Sequence, residues 1–184
     1  MNWKTLSSEY IARFQYFTAR KDKCEMPGGK IVESYYVVEL PSSACALAIT
    51  EDGQVIMTKQ YRHPINKTIL ELPGGFVEEG EDLKTAIARE LLEETGYEFT
   101  QIEHLGKVAA NPGILNNYTD LFLATGGKKI AAQHLDANEE IEIVLLPLEK
   151  VRNMLYKNEI DQALHVSCML YAFRKIDDED DMVY

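Results

Sequence analysis

Between Asp82 and Thr95 the chain reads as a helix that carries three glutamates, Glu90, Glu93 and Glu94, in about a turn and a half. Like charges three and four residues apart repel, each pair costing a few tenths of a kcal/mol. On a helical wheel with Leu83 at zero, Glu90 and Glu94 each fall about 20° from it, flanked by Ile87 at about 40° and Ala86 at about 300°. Glu93 falls at about 280°, beside Ala86. The acids therefore share the sector of the apolar residues instead of forming a separate solvated face. A carboxylate turned towards a core is costly unless something neutralises it. Glu90 and Glu94, at i and i+4, meet on one face, with Glu93 one ridge away. Converging carboxylates make a hard-oxygen site suited to Mg²⁺, with Mn²⁺ as a substitute. Arg89, four residues before Glu93, is placed to hold it by a charge-assisted contact.

The elements around this helix must position its acids. Pro73-Gly74-Gly75 reads as a tight turn that strips side chains where backbone comes close to something. Gly96 is the helix stop. The first half is β-structure. ARFQYFTARKD (12–22) reads as one alternating aromatic strand, MPGGK (26–30) as a turn and KIVESYYVVEL (30–40) as a further strand. ACALAIT and QVIMTKQYR form a hairpin about Asp52-Gly53, and TILEL (68–72) adds a strand. Strands resume near IEHLGKVAA, DLFLATG and IEIVLLP, and LEKVRNMLYKN and IDQALHVSCMLYAFRKI close the chain as helices. Strands, helix, strands, helices suit an α+β or α/β/α layered fold with a mixed sheet and antiparallel N-terminal strands better than a repeating βαβ wind. The divisions are an N-terminal β region at 1–42, a main domain at 43–176 and an acidic tail at 177–184, where DDEDD reads as frayed and solvated.

Charge and composition exclude several classes. At 184 residues and a net charge of −11, the chain has no basic face for nucleic acid or an anionic membrane. No apolar run is long enough to span a bilayer and no secretory leader is evident. Cys24, Cys45 and Cys168 have no paired or metal-binding spacing and read as reduced thiols, which makes the expected location cytoplasmic. The four histidines show no ligand spacing, and Trp3 reads as packing.

The spacing Gly75, Glu81, Arg89-Glu90-Leu91-Leu92-Glu93-Glu94-Thr95-Gly96 resembles the signature of the Nudix hydrolases, with Tyr97 where the family has an aliphatic residue. Gln60-Tyr61-Arg62 before LELPGG, Asn111-Pro112-Gly113, and NEEIEI (138–143) resemble the branch that cleaves ADP-ribose and ADP-sugars. That branch often has Pro-Ala-Gly where this chain has Pro73-Gly74-Gly75.

The resemblance implies an α+β fold built as an α/β/α sandwich around a mixed sheet, and a divalent-metal-dependent hydrolase that splits the diphosphate of ADP-ribose or an ADP-sugar into AMP and a sugar phosphate. It makes Glu90, Glu94 and Glu93 metal ligands, with the Gly74 carbonyl completing the shell. It gives Glu93, Glu94, Arg89 and Glu139 catalytic roles, Glu139 as general base or as a further ligand; Glu140 is left as a near equivalent. Arg62, Phe17 and Pro112 become substrate contacts. Glu81 is read as structural first, an acid meeting the helix dipole, with an indirect effect on the metal site. The branch is similar to a homodimer in which N-terminal strands, here the aromatic stretch at Phe14, Tyr16 and Phe17, help build the partner's pocket. Other substrates (GDP-mannose, dinucleotides, nucleoside triphosphates) and a non-catalytic nucleotide-sugar-binding regulator are the alternatives.

Overall fold

The computed structural model describes residues 1–14 and 17–181 and divides into two compact units. The first comprises residues 1–42 and 109–118. Its strands β1 (Lys4–Phe14), β2 (Phe17–Glu25) and β3 (Ile31–Glu39) form an antiparallel sheet in that order. Phe14 stands opposite Phe17, so the stretch 12–22 belongs to two strands, not to the single one expected. The apolar alternation runs across the break with no Gly, Pro, Asn or Asp to mark it. Tyr16 lies outside the described residues. The turn at Met26–Lys30 forms as expected, with Gly29 N donating to the Met26 carbonyl at 2.8 Å.

Residues 109–118 dock on β3. Val38 N donates to the Ile114 carbonyl at 2.8 Å, the Tyr35 hydroxyl donates to the Gly113 carbonyl at 3.0 Å, and Asn117 Nδ2 donates to the Pro41 carbonyl at 3.0 Å. Pro112 therefore belongs with the N-terminal strands. Trp3 meets the Tyr35 ring edge-on at 5.9 Å.

The second unit holds β4 (Ser43–Thr50), β5 (Gln54–Arg62), β6 (Lys67–Glu71), β7 (Gly74–Phe76), α1 (Leu83–Thr95), β8 (Tyr97–Glu98), β9 (Gln101–Val108), β10 (Thr119–Lys129), β11 (Ile141–Pro147), α2 (Leu148–Tyr156) and α3 (Ala163–Asp181). The sheet runs β11-β5-β4-β10-β8, with β6 on β5, β7 on β4 and β9 on β10. The β4–β10 ladder is parallel and the other ladders of this sheet among the described residues are antiparallel, which makes the sheet mixed.

Side-chain alternation along β4 builds two cores. Ala44, Ala46 and Ala48 pack with Ile56, Phe122, Ile87 and Leu91 under α1. Cys45 and Leu47 pack with Met57, Leu121, Val151, Met169 and Phe173 under α2 and α3. The result is the α/β/α sandwich. The three alanines matter to the acidic helix, since their short side chains let α1 approach the sheet closely.

The Gly74-Gly75 pair, expected as a turn, is part of strand β7: Gly74 pairs with Cys45 and Gly75 with Ala44. The hairpin about Gly53 forms as read, with Gly53 at φ 80°. Helix α3 starts at Ala163 and continues through Asp181, beyond the point where the tail was expected to fray. Acids at a helix C-terminus oppose its dipole. The Arg152 fork on Asp177, both contacts 2.9 Å, offsets part of that; residues 182–184 lie outside the described residues. Cys24, Cys45 and Cys168 are buried and free. No helix among the described residues is long and apolar enough to cross a membrane.

Candidate active site

Helix α1 is fixed at both ends. Asp82 caps it, its Oδ2 accepting from Lys84 N and Thr85 N at 3.1 Å each. Gly96 ends it in the left-handed region at φ 76°, donating to the Leu92 carbonyl at 2.8 Å. Between these caps Ala86, Ile87 and Leu91 are buried, and so is Glu94, only 8% exposed. Glu94 thus lies among core residues as the wheel predicts, with Glu90 partly buried and Glu93 further out.

Glu94 is held by the neighbouring strand. Its Oε2 accepts from Gly74 N at 2.9 Å. A side chain at Gly74 would put a Cβ 2.7 Å from Cys45 Cα at a φ of 149°, which only glycine adopts without strain. Burial pushes the Glu94 carboxyl up to about 8, with the Glu90 and Glu139 charges adding to it against the Gly74 N–H and Arg62. Burial also raises Glu90, opposed by Arg89.

Gly75 makes room for Glu90. A Cβ there would sit 2.6 Å from Glu90 Cδ. Gly75→Ala is accordingly expected to displace that carboxylate. Because misplacing a reacting group by about 1 Å can cost 10²-fold, kcat/KM should fall by roughly that factor. Steady-state rates beside a melting curve check it, and the melting temperature should move little because the obstructed atoms belong to a side chain.

Arg89 organises the acids. Its Nε and Nη2 donate to the two oxygens of Glu81 at 3.0 Å each, and its Nη1 donates to Glu90 at 2.8 Å and to Glu93 at 3.1 Å. Nη2 also reaches the Phe76 carbonyl at 3.2 Å. These contacts raise the guanidinium further above its ordinary value, Glu81 first. The expected Arg89–Glu93 contact is present, but Glu81 does not act on the helix dipole alone. It precedes the cap residue and clamps Arg89, while Glu78 N donates to its Oε2 at 3.1 Å.

Antiparallel partners share a face, so Thr58, Gln60 and Arg62 of β5 line up with Glu71, Ile69 and Lys67 of β6. Ile56, on that same alternation, packs under α1. Arg62 donates through Nε to Glu71 Oε2 at 2.7 Å. Glu71 gives no signal in the sequence, because an acid in TILEL looks like an outward residue of an alternating strand.

Glu139 lies on the segment before β11, its Oε2 accepting from Asp136 N at 3.1 Å. Its charge is felt at both Glu90 and Glu94. That segment is strapped to the end of α1. His134 N donates to the Glu93 carbonyl at 2.8 Å, Ile130 N to the Gly96 carbonyl at 2.9 Å, and Gln133 Nε2 to the Glu94 carbonyl at 2.7 Å and the Ile141 carbonyl at 3.1 Å. A Cβ on Gly96 would stand 3.0 Å from the Ala131 carbonyl carbon, so this glycine serves the strap as well as the cap. Gln133 gives no sequence signal either, because its partners are distant in the chain.

Two of the histidines make side-chain contacts within the fold. Leu72 N donates to His165 Nδ1 at 3.0 Å, and His104 Nε2 lies 2.7 Å from Asp120 Oδ1. The structure thus brings Glu90, Glu93, Glu94, Arg89, Arg62, Gly74 and Glu139 into one unit. Phe17 and Pro112 are exposed residues of the other.

A model of the NUDIX domain matches residues 39–166, and a model of the nucleoside diphosphate sugar hydrolase N-terminal domain matches residues 3–38. The chain belongs to the Nudix family. A methanol dehydrogenase activator of Bacillus methanolicus is 33% identical over 169 residues, covering 91% of each chain. An ADP-ribose pyrophosphatase of Bacillus subtilis (strain 168) is 31% identical over 166 residues, covering 87% of this chain and 89% of its own. The solved structure of an ADP compounds hydrolase superposes with a TM-score of 0.84 at 21% identity, covering 97% of this chain and 96% of that one, and so shares the fold. This chain is a Nudix hydrolase, and Nudix hydrolases in general need a divalent metal.

The Nudix helix of this chain fits such an ion by the chemistry of its donors. Glu94 is buried and feels the charges of Glu90 and Glu139, so α1 offers hard oxygen donors whose charge a divalent ion would offset. Among the described residues no three acidic, imidazole or thiol groups already stand together at ligand spacing, since Glu90 and Glu93 are turned to Arg89.

Proposed function

We propose that the chain hydrolyses the diphosphate of ADP-ribose or a related ADP-sugar, giving AMP and a sugar phosphate. The observation that carries this is the gathering of Glu90, Glu94, Arg62 and Glu139 around α1, supported by relatives named for ADP-ribose and ADP-sugar. Glu90, Glu93 and Glu94, with the Gly74 carbonyl, would hold Mg²⁺, and Mn²⁺ would substitute. When bound, the ion offsets the diphosphate charge and lowers the pKa of water.

The protein groups do the rest. Arg89 sets the orientation of Glu90 and Glu93, and Glu81 sets that of Arg89. Gly74 N fixes the rotamer of Glu94. Arg62 contacts a phosphate or ribose oxygen. Glu139 accepts the proton of the attacking water, its place set by the strap that Gln133 and His134 tie to α1. Phe17 and Pro112 are proposed as further substrate contacts.

That unit exposes Trp3, Leu6, Tyr10, Ile11, Phe14 and Phe17, with Phe14 70% exposed, and this supports a homodimer formed through β1 and β2. Three buried free cysteines support a cytoplasmic location.

A substrate panel with Mg²⁺ tests the reading. ADP-ribose should give AMP and ribose 5-phosphate faster than GDP-mannose, a dinucleoside polyphosphate or ATP is cleaved. Preferential release of pyrophosphate from ATP would overturn it.

A further inference from the structure

Glu71 ends β6, is 1% exposed, and uses one oxygen for a single strong contact, Arg62 Nε at 2.7 Å. Its other oxygen, Oε1, is buried and has no partner among the described residues. Ile69, two residues earlier on the same face, is buried and apolar. An apolar residue at 71 would continue that face without the desolvation cost of a half-satisfied carboxylate. Stability of the strand does not account for Glu71.

Its partner does. Arg62 ends β5 with a half-exposed side chain, and a free arginine there would sample many rotamers. The contact through Nε draws it back along the strand towards Glu71, and among the described residues Nη1 and Nη2 have no hydrogen-bond partner, so they can donate to an anion. The Arg62 charge is felt at Glu94, so the guanidinium is held on the side of the sheet where the α1 carboxylates lie.

We infer that Glu71 is a positioning residue that pre-orients Arg62 for the anionic substrate; this rests on the role proposed above for Arg62. Glu71 touches no substrate itself. An arginine ordered before binding loses less entropy when it binds, so the effect belongs in KM.

Steady-state kinetics on ADP-ribose with saturating Mg²⁺ test it in Glu71→Gln, Arg62→Ala and the double variant, each with a melting curve. Glu71→Gln should raise KM roughly tenfold, with kcat changed less than about threefold. The double variant should show the KM of Arg62→Ala alone, because removing the arginine leaves Glu71 nothing to position. Glu71→Asp keeps the charge but withdraws it by one carbon, and should raise KM even where Glu71→Gln fails to fold. If Arg62→Ala raises KM while both Glu71 variants keep the wild-type KM and only melt earlier, Glu71 is structural and the inference is overturned. If Arg62→Ala leaves KM unchanged, the role of Arg62 is wrong and the positioning role goes with it.

Discussion

Glu94→Gln is expected to lower kcat/KM by roughly 10³-fold or more, because it removes a charged ligand from the proposed site of metal-ion catalysis. The same substitution should stabilise the metal-free protein at pH 8. Glutamine keeps an oxygen for Gly74 N, now 2.9 Å from Glu94, but carries no charge to desolvate. The gain should be roughly 5–10 °C in melting temperature. A loss of activity joined to a gain in stability separates a functional carboxylate from a structural one. A variant that is inactive and also less stable at pH 8 would show that Glu94 holds the fold together.

The second large effect is a pH optimum of stability in the metal-free protein. The Glu94 carboxyl lies near 8 in the folded chain, against an ordinary value of 4.5. The folded state therefore holds a proton that the unfolded state has released. Stability from this group is complete below pH 4.5 and is lost as pH rises towards 8, by on the order of 3–5 kcal/mol. His165 acts in the opposite sense. Burial holds its ring down to about 3, against 6.5, so its contribution is complete above pH 6.5 and is lost as pH falls towards 3. The two together place the maximum near pH 5–6, measurable by urea unfolding across a pH series in chelator. Glu94→Gln should lessen the alkaline fall, to which the raised Glu90 still contributes, and leave the fall below pH 4.5 unchanged.

The chain announces its acidic helix because Glu90 and Glu94 stand at i and i+4 among Leu83, Ala86 and Ile87, and helical periodicity is a local property. The caps Asp82 and Gly96 are local for the same reason. The features that are not legible depend on partners far away in sequence. Gly74 and Gly75 look like a turn until β4 is known to lie alongside, where any side chain would strike Cys45 or Glu90. Glu71 looks exposed until Arg62 folds back onto it. Gln133 gains meaning only when the strap meets the end of α1. The break between Phe14 and Phe17 is hidden by apolar residues that suit either one strand or two.

The cation site on α1 is tested most directly by the melting temperature of wild type and Glu94→Gln at pH 8, with and without Mg²⁺. A bound ion stabilises by mass action, about 2.7 kcal/mol at a hundredfold excess over its dissociation constant. The buried acids of α1 predict a clear rise for wild type and none for Glu94→Gln. No rise in wild type, or an equal rise in both, would show that these carboxylates do not form the cation site.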